Sequence, residues 1–209
     1  MILGLIGVGK MGRAICERLI ETGNELIVWN RSPEKIADLK GVTIATTPGE
    51  VASSAEIIIS VLANDNATQS AYYDDGGLTT VSLNGKLIIE ICTSSPERTV
   101  ELEKSVIEKG GQFIESPVGG TVKPARDGTL LALVAGDKAA FERARPILEQ
   151  MTRRIEYLGE TGAAAAMKLA INLPLMVYWG ALGEAVAMAT SKDISAEQAM
   201  SILVDSSGA

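Results

Sequence analysis

The chain has 209 residues, 46% hydrophobic and 22% charged, the balance of a soluble globular protein with a real core and room for one large domain or one domain and part of a second. Nineteen Lys and Arg against 26 Asp and Glu leave a net charge of −7, which disfavours nucleic acid and anionic membranes as partners. The absence of histidine excludes a Ser-His-Asp triad, a His general base and the usual His-containing zinc sites, and no metal ligand set is assigned.

The chain opens on MILGLIG, apolar at once and without a basic lead or small-residue cleavage site, so it reads as a buried first strand of a cytoplasmic protein rather than a signal peptide. From residue 1 to 159, short Ile-, Leu- and Val-rich runs alternate with helical stretches. Eight strands are predicted: MILGLIG, ELIVWN, GVTIA, EIIISVLA, KLIIEIC, QFIES, TLLALVAG and RRIEYLG. Helices are predicted at MGRAICERLIETG and PERTVELEKSVIEKGG. The second has N-cap oxygens at Thr93, Ser94 and Ser95, Pro96 in its first turn, and Gly110-Gly111 as its stop. The expected class is α/β, a doubly wound, mostly parallel sheet. Cys16 and Cys92 lie in apolar segments without C-x-x-C spacing and read as reduced, packed thiols.

Residues 160–209 read as the start of an all-helical domain, with one long helix over about 161–191 and a second opening at Ser195, with Glu197 and Gln198 close behind. Residues 169–183 carry no charge. A membrane span needs roughly 20 apolar residues, and Asn172, Pro174 and the many small residues favour instead a helix buried on most sides. Two helices cannot cover that surface, so the domain is expected to be completed by another subunit or by chain beyond Ala209, with the long helix holding a homodimer or homotetramer together.

Gly7-Val8-Gly9-Lys10-Met11-Gly12 follows the first strand and opens a helix. Alone, G-x-G-x-x-G marks a glycine-rich turn; with the flanking strand, the helix and a second strand at the right distance it reads as a dinucleotide fingerprint. Gly7 allows the tight turn, Gly9 lets backbone approach a pyrophosphate, Gly12 lets helix and strand pack, and the N–H groups at the helix start, around Lys10 and Met11, face the phosphates. Residues 1–159 are thus read as a Rossmann-type domain. The second strand ends in Asn30-Arg31-Ser32, where an NAD site would usually place a carboxylate for the ribose 2′-hydroxyl. The Arg31 guanidinium can fork onto a 2′-phosphate, with Asn30 and Ser32 adding hydrogen bonds, so NADP is expected over NAD; the competing reading makes Arg31 a solvated turn residue.

Hydride transfer needs a proton donor beside the carbonyl. The Tyr-x-x-x-Lys pair is absent, since none of Tyr72, Tyr73, Tyr157 or Tyr178 has Lys four residues later, which leaves lysine or a carboxylate. Lys168 stands out inside GAAAAMKLAIN, where burial would depress its pKa toward about 7–8 for acid–base work. Asn172, four residues on, shares its helix face. On these residues alone, a lysine snorkelling to water accounts for Lys168 equally well.

GLIGVGKMG, VWNRSPEK, IEICTSSPERT, FIESPVGGTVKPARDGTL and GAAAAMKLAIN, in this order, cover essentially the whole chain. Together they resemble the β-hydroxyacid dehydrogenase family, which includes 3-hydroxyisobutyrate dehydrogenases and glyoxylate or succinic semialdehyde reductases. The resemblance implies that Thr93 holds the nicotinamide end of the cofactor and that the backbone of Leu62 and Ala63 lines the same cleft. It implies that Gly119, Gly120 and Thr121 grip a substrate carboxylate, with Lys168 as the catalytic acid–base and Asn172 as an orienting amide. Gly119 departs from the family, which usually has serine there. KPARDGTL leans toward the semialdehyde and glyoxylate reductase branch, while Val122 and Arg126 fall where that branch differs. The family also continues with further helices past the point matching Ala209. The expected activity is NADP-dependent interconversion of a small β- or γ-hydroxy acid and its aldehyde or keto acid. The rivals are an imine reductase, which lacks the reason for Lys168, and a non-catalytic NADP-binding interaction module.

Overall fold

The structure, a computed structural model, describes residues 2–206, which fall into two compact units divided after Lys168. In the first unit, β1 (Ile2–Ile6), β2 (Glu25–Trp29), β3 (Val42–Ile44), β4 (Ile57–Ser60), β5 (Leu87–Glu90) and β6 (Gln112–Glu115) form a parallel sheet in the order β3-β2-β1-β4-β5-β6. The sheet continues into β8 (Leu130–Gly136), antiparallel to both β6 and β7 (Val118–Gly119), and β9 (Thr152–Tyr157) pairs parallel with β8. This is the expected Rossmann-type sheet. All eight predicted strands form. β7 is the one that was not foreseen: two residues, one of them glycine, are too short to show a period.

The central strands read as unbroken apolar runs because both their faces are covered. Every residue of β4 and of β5 is buried, and the core divides into clusters on the two sides of the sheet. The connecting helices are α1 (Lys10–Glu21), α2 (Pro48–Ser54), α3 (Asp65–Tyr73), α4 (Pro96–Glu108), α5 (Val122–Arg126) and α6 (Lys138–Met151). Local chemistry sets most of their starts: Thr47, Asn64, Ser95 and Asp137 each accept the backbone N–H three residues on. Cys16 is buried and Cys92 half-buried, both as free thiols.

α7 (Ala163–Thr190) and α8 (Ala196–Asp205) follow, and Ser195 caps α8 through the N–H of Gln198. The sequence favours a helix buried on most sides; in the described chain only Ala164 and Ala165 of α7 are buried, and Leu173, Leu175, Met176, Val177 and Trp179 are exposed. α7 is apolar all round rather than along one stripe, the pattern of a helix that is covered, and the described residues supply no such cover. By length and composition α7 is apolar enough to cross a membrane.

Candidate functional site

Between β1 and β4 the strand order changes direction, and doubly wound sheets bind ligands in the crevice beyond the carboxyl ends of the strands at such a point. A cleft of about 140 Å³ lies there, lined by Gly7, Gly9, Asn30, Arg31, Leu62 and Ala63. Gly7 has φ +92°, its N–H donates to the Trp29 carbonyl at 2.9 Å, and a Cβ on it would strike the Val61 carbonyl. A Cβ on buried Gly12 would be driven into the Gly7 carbonyl, whereas one on Gly9 would meet nothing within 4 Å. Two glycines are thus demanded by the fold, and the third leaves space. α1 begins after Gly9 with no capping side chain and no acid in its first turn, so the first-turn N–H groups of Lys10, Met11 and Gly12 remain for an anion. Lys10 is exposed, and Met11 is half-buried against the core.

At the end of β2 the structure modifies one expectation. Asn30 Oδ1 accepts from the Val8 N–H at 3.0 Å and its Nδ2 donates to the Ser32 carbonyl at 2.9 Å, so this side chain clasps the glycine loop to the next turn. One N–H of its amide remains for a ligand. Arg31 is exposed at the cleft and makes no ion pair among the described residues, unlike Arg13, held by Asp38 at 2.7 Å. Ser32 does not cap the 3₁₀ turn that follows it (Pro33–Lys35).

Beneath the far wall lies a polar network that sequence reasoning missed. The Leu62 N–H donates to Cys92 Sγ at 2.8 Å, the Cys92 N–H donates to Glu90 Oε1 at 3.2 Å, and the Tyr72 hydroxyl donates to Glu90 Oε2 at 2.5 Å. Burial pushes the Glu90 carboxyl up and the Tyr72 hydroxyl and Cys92 thiol well up. The loops that continue into Ala63 and into exposed Thr93 are thereby tied together. Its one sequence signal is an acid, Glu90, inside the otherwise apolar LIIEIC. Trp29, Val61, Ala67 and Ser70 also line the cleft and were not singled out.

Thr93, Gly119, Gly120, Thr121 and Lys168 are not among the residues lining that cleft. Gly119 closes β7 and pairs with Leu131 of β8; Gly120 has φ +127°; exposed Thr121 precedes α5 without capping it through its side chain. Where β6 ends, Glu115 receives the N–H groups of Gly162 at 2.6 Å and of Ala164 and Ala165 at 3.0 Å, closing the start of α7. Lys168 is half-buried, which lowers the pKa of its ammonium. Asn172, in the second unit, is also half-buried.

Residues 2–159 match the family described as the NAD binding domain of 6-phosphogluconate dehydrogenase. The chain belongs to this family. Glyoxylate/succinic semialdehyde reductase 1 of Arabidopsis thaliana is 34% identical over 97% of this chain and 71% of its own length. With that relative, the chain falls among the NAD(P)-dependent hydroxyacid dehydrogenases and reductases of the family. It spans 36% and 48% of the length of two further curated relatives. Among solved structures, Psf3 in complex with NADP+ and 2-OPP is 29% identical, with a TM-score of 0.85 over 99% of this chain and 74% of that one. Mycobacterium tuberculosis 3-hydroxyisobutyrate dehydrogenase with L-serine is 27% identical, with a TM-score of 0.81 over 100% of this chain and 71% of that one.

Proposed function

We propose that the protein is an NADP-dependent reductase of small carbonyl acids, interconverting a β- or γ-hydroxy acid and its aldehyde or keto acid, with Lys168 as acid–base. The observation that carries the reading is Lys168 itself, the one charged residue between Glu160 and Glu184, half-buried on a mostly apolar helix. The cleft suits a 2′-phosphorylated dinucleotide: space at Gly9, the uncapped start of α1 and the unpaired Arg31 guanidinium each offer something to a phosphate. NADPH, when bound, supplies the hydride.

The chain's own residues do the rest. The N–H groups around Gly119 and Gly120 and the Thr121 hydroxyl take the substrate carboxylate. In reduction, Lys168 Nζ gives a proton to the carbonyl oxygen; in oxidation it takes one from the hydroxyl. Reduction needs the charged amine, so its rate falls as pH rises through the lowered Lys168 pKa. Oxidation needs the neutral amine and rises through the same value, below the ordinary lysine range. The working assembly is a homodimer or homotetramer built on α7, in the cytoplasm, where Cys16 and Cys92 stay reduced.

The test is Lys168→Ala assayed with NADPH against a panel of small semialdehydes and keto acids. We expect kcat to fall by about 10²–10⁴ with NADPH binding retained, and wild-type protein to bind NADPH more tightly than NADH. Turnover within a few-fold of wild type would remove the mechanism, and tighter NADH binding would remove the Arg31 argument.

A further inference from the structure

The helix that carries Lys168 is started in an unusual way. The other helices of eight or more residues that have a capping side chain take it from the residue just before them, but the N-terminus of α7 is closed by Glu115, 47 to 50 residues earlier in the chain. Glu115 is 1% exposed. Oε1 accepts from Gly162 and Ala164 and Oε2 from Ala165, so three of the four amides that a helix start leaves unpaired converge on one carboxylate. A single-oxygen cap would fix where the helix begins. Two oxygens on three N–H groups also fix its rotation.

Two further contacts place this start. Thr161 Oγ1 donates to Glu103 Oε1 of α4 at 2.6 Å. Ala163 and Ala164 pack with Leu131, Leu133 and Ala135 of β8, and Leu131 is the strand partner of Gly119. Glu115 is itself the last residue of β6, four positions before Gly119. The glycine loop and the lysine helix therefore take their positions from the same two strands. Lys168 lies three residues past Ala165, less than one turn of 3.6 residues, so a rotation at the cap is passed directly to its amine.

We propose that Glu115 is a positioning residue for the reaction, its buried carboxylate setting the rotation of α7 and hence the place of Lys168 relative to the glycine loop. The inference rests on the reading of Lys168 as the acid–base group. A misplacement of about 1 Å at the reacting centre costs on the order of a hundredfold in rate, so the effect is measurable.

The experiment uses the full-length protein with NADPH and the semialdehyde it turns over best. Gln keeps one accepting oxygen and Ala keeps none. We expect kcat per NADPH-titrated site to fall by about tenfold in Glu115→Gln and about a hundredfold in Glu115→Ala, with NADPH affinity unchanged. The alkaline limb of the reductive pH profile should also move upward, as a loosened helix lets water reach Nζ. A folded Glu115→Ala with normal kcat and an unmoved limb overturns the proposal, as does a loss confined to the number of active sites. Should the variants not fold, amide hydrogen exchange on the wild type decides: protected N–H groups at Gly162, Ala164 and Ala165 support the proposal, and unprotected ones sink it. Near-normal turnover in Lys168→Ala removes both the acid–base reading and this inference. Loss in Lys168→Ala with Glu115→Ala untouched removes this inference alone.

Discussion

Gly119 and Gly120 are neighbours with opposite tolerance. A Cβ on Gly119 would sit 3.5 Å from Leu131 Cβ, an ordinary contact, and its backbone is outside the left-handed region. Gly120, at φ +127°, would push a Cβ to 2.8 Å from Leu130 Cδ2. Gly119→Ser should therefore fold as wild type and place a hydroxyl on the loop proposed to hold the substrate carboxylate. A hydrogen bond from that hydroxyl to a carboxylate should lower the substrate KM by about tenfold. Steady-state kinetics and a melting curve check this; an unchanged KM in a normally folded variant would separate the loop from carboxylate binding. At this scale the sequence was legible where residue type alone decides, as for the glycines of the fingerprint. It was not legible at Asn30, because an amide that could face a ligand and one that clasps two loops look alike in a sequence, and only the fold brings Val8 and Ser32 to it. Glu90 was hidden for the same reason.

Among the elements, the turn from β1 into α1 separates glycines needed by the protein from one needed by its ligand. Gly12→Ala forces a methyl into the Gly7 carbonyl, so we expect a destabilised protein with a lower melting temperature, by a few kcal/mol in the manner of overpacked cores. Gly9→Ala meets nothing within 4 Å and should melt like wild type while binding NADPH at least tenfold more weakly, because its methyl enters space left for the pyrophosphate. Calorimetry paired with a fluorescence titration reads both, and equal NADPH affinity in Gly9→Ala would move the phosphates elsewhere. Element identity was largely readable: uninterrupted apolar runs gave the buried strands, and Ser95, Pro96, Gly110 and Ser195 gave helix boundaries near where they form. β7 and the long-range cap of α7 escaped, the first because two residues carry no periodicity and the second because its partner, Glu115, lies at the end of β6, 47 to 50 residues earlier.

For the molecule as a whole, α7 sets the main demand. Leu173, Met176, Val177 and Trp179 are more than half exposed, an apolar surface of the kind that marks an interaction site rather than a monomer's exterior. The proposed assembly places a second copy along this helix, whose Lys168 and Glu184 cancel, where repulsion between chains of net charge −7 is least. Light scattering should give a dimer or tetramer, and Leu173→Asp with Met176→Asp should shift it toward monomer; a monomeric wild type would remove the assembly proposed above. The sequence announced this helix and its length but not its exposure, since hydropathy reports what a segment prefers and not what is there to receive it. The Asn30 clasp also bears on cofactor choice. Because one amide joins the glycine loop to the turn after β2, an Asn30→Asp change introduced to favour NAD would also release the strap to Ser32. The glycine-loop half of the clasp would survive, since an Asp oxygen still accepts from the Val8 N–H, so such a change trades coenzyme preference against the order of the turn after β2 alone.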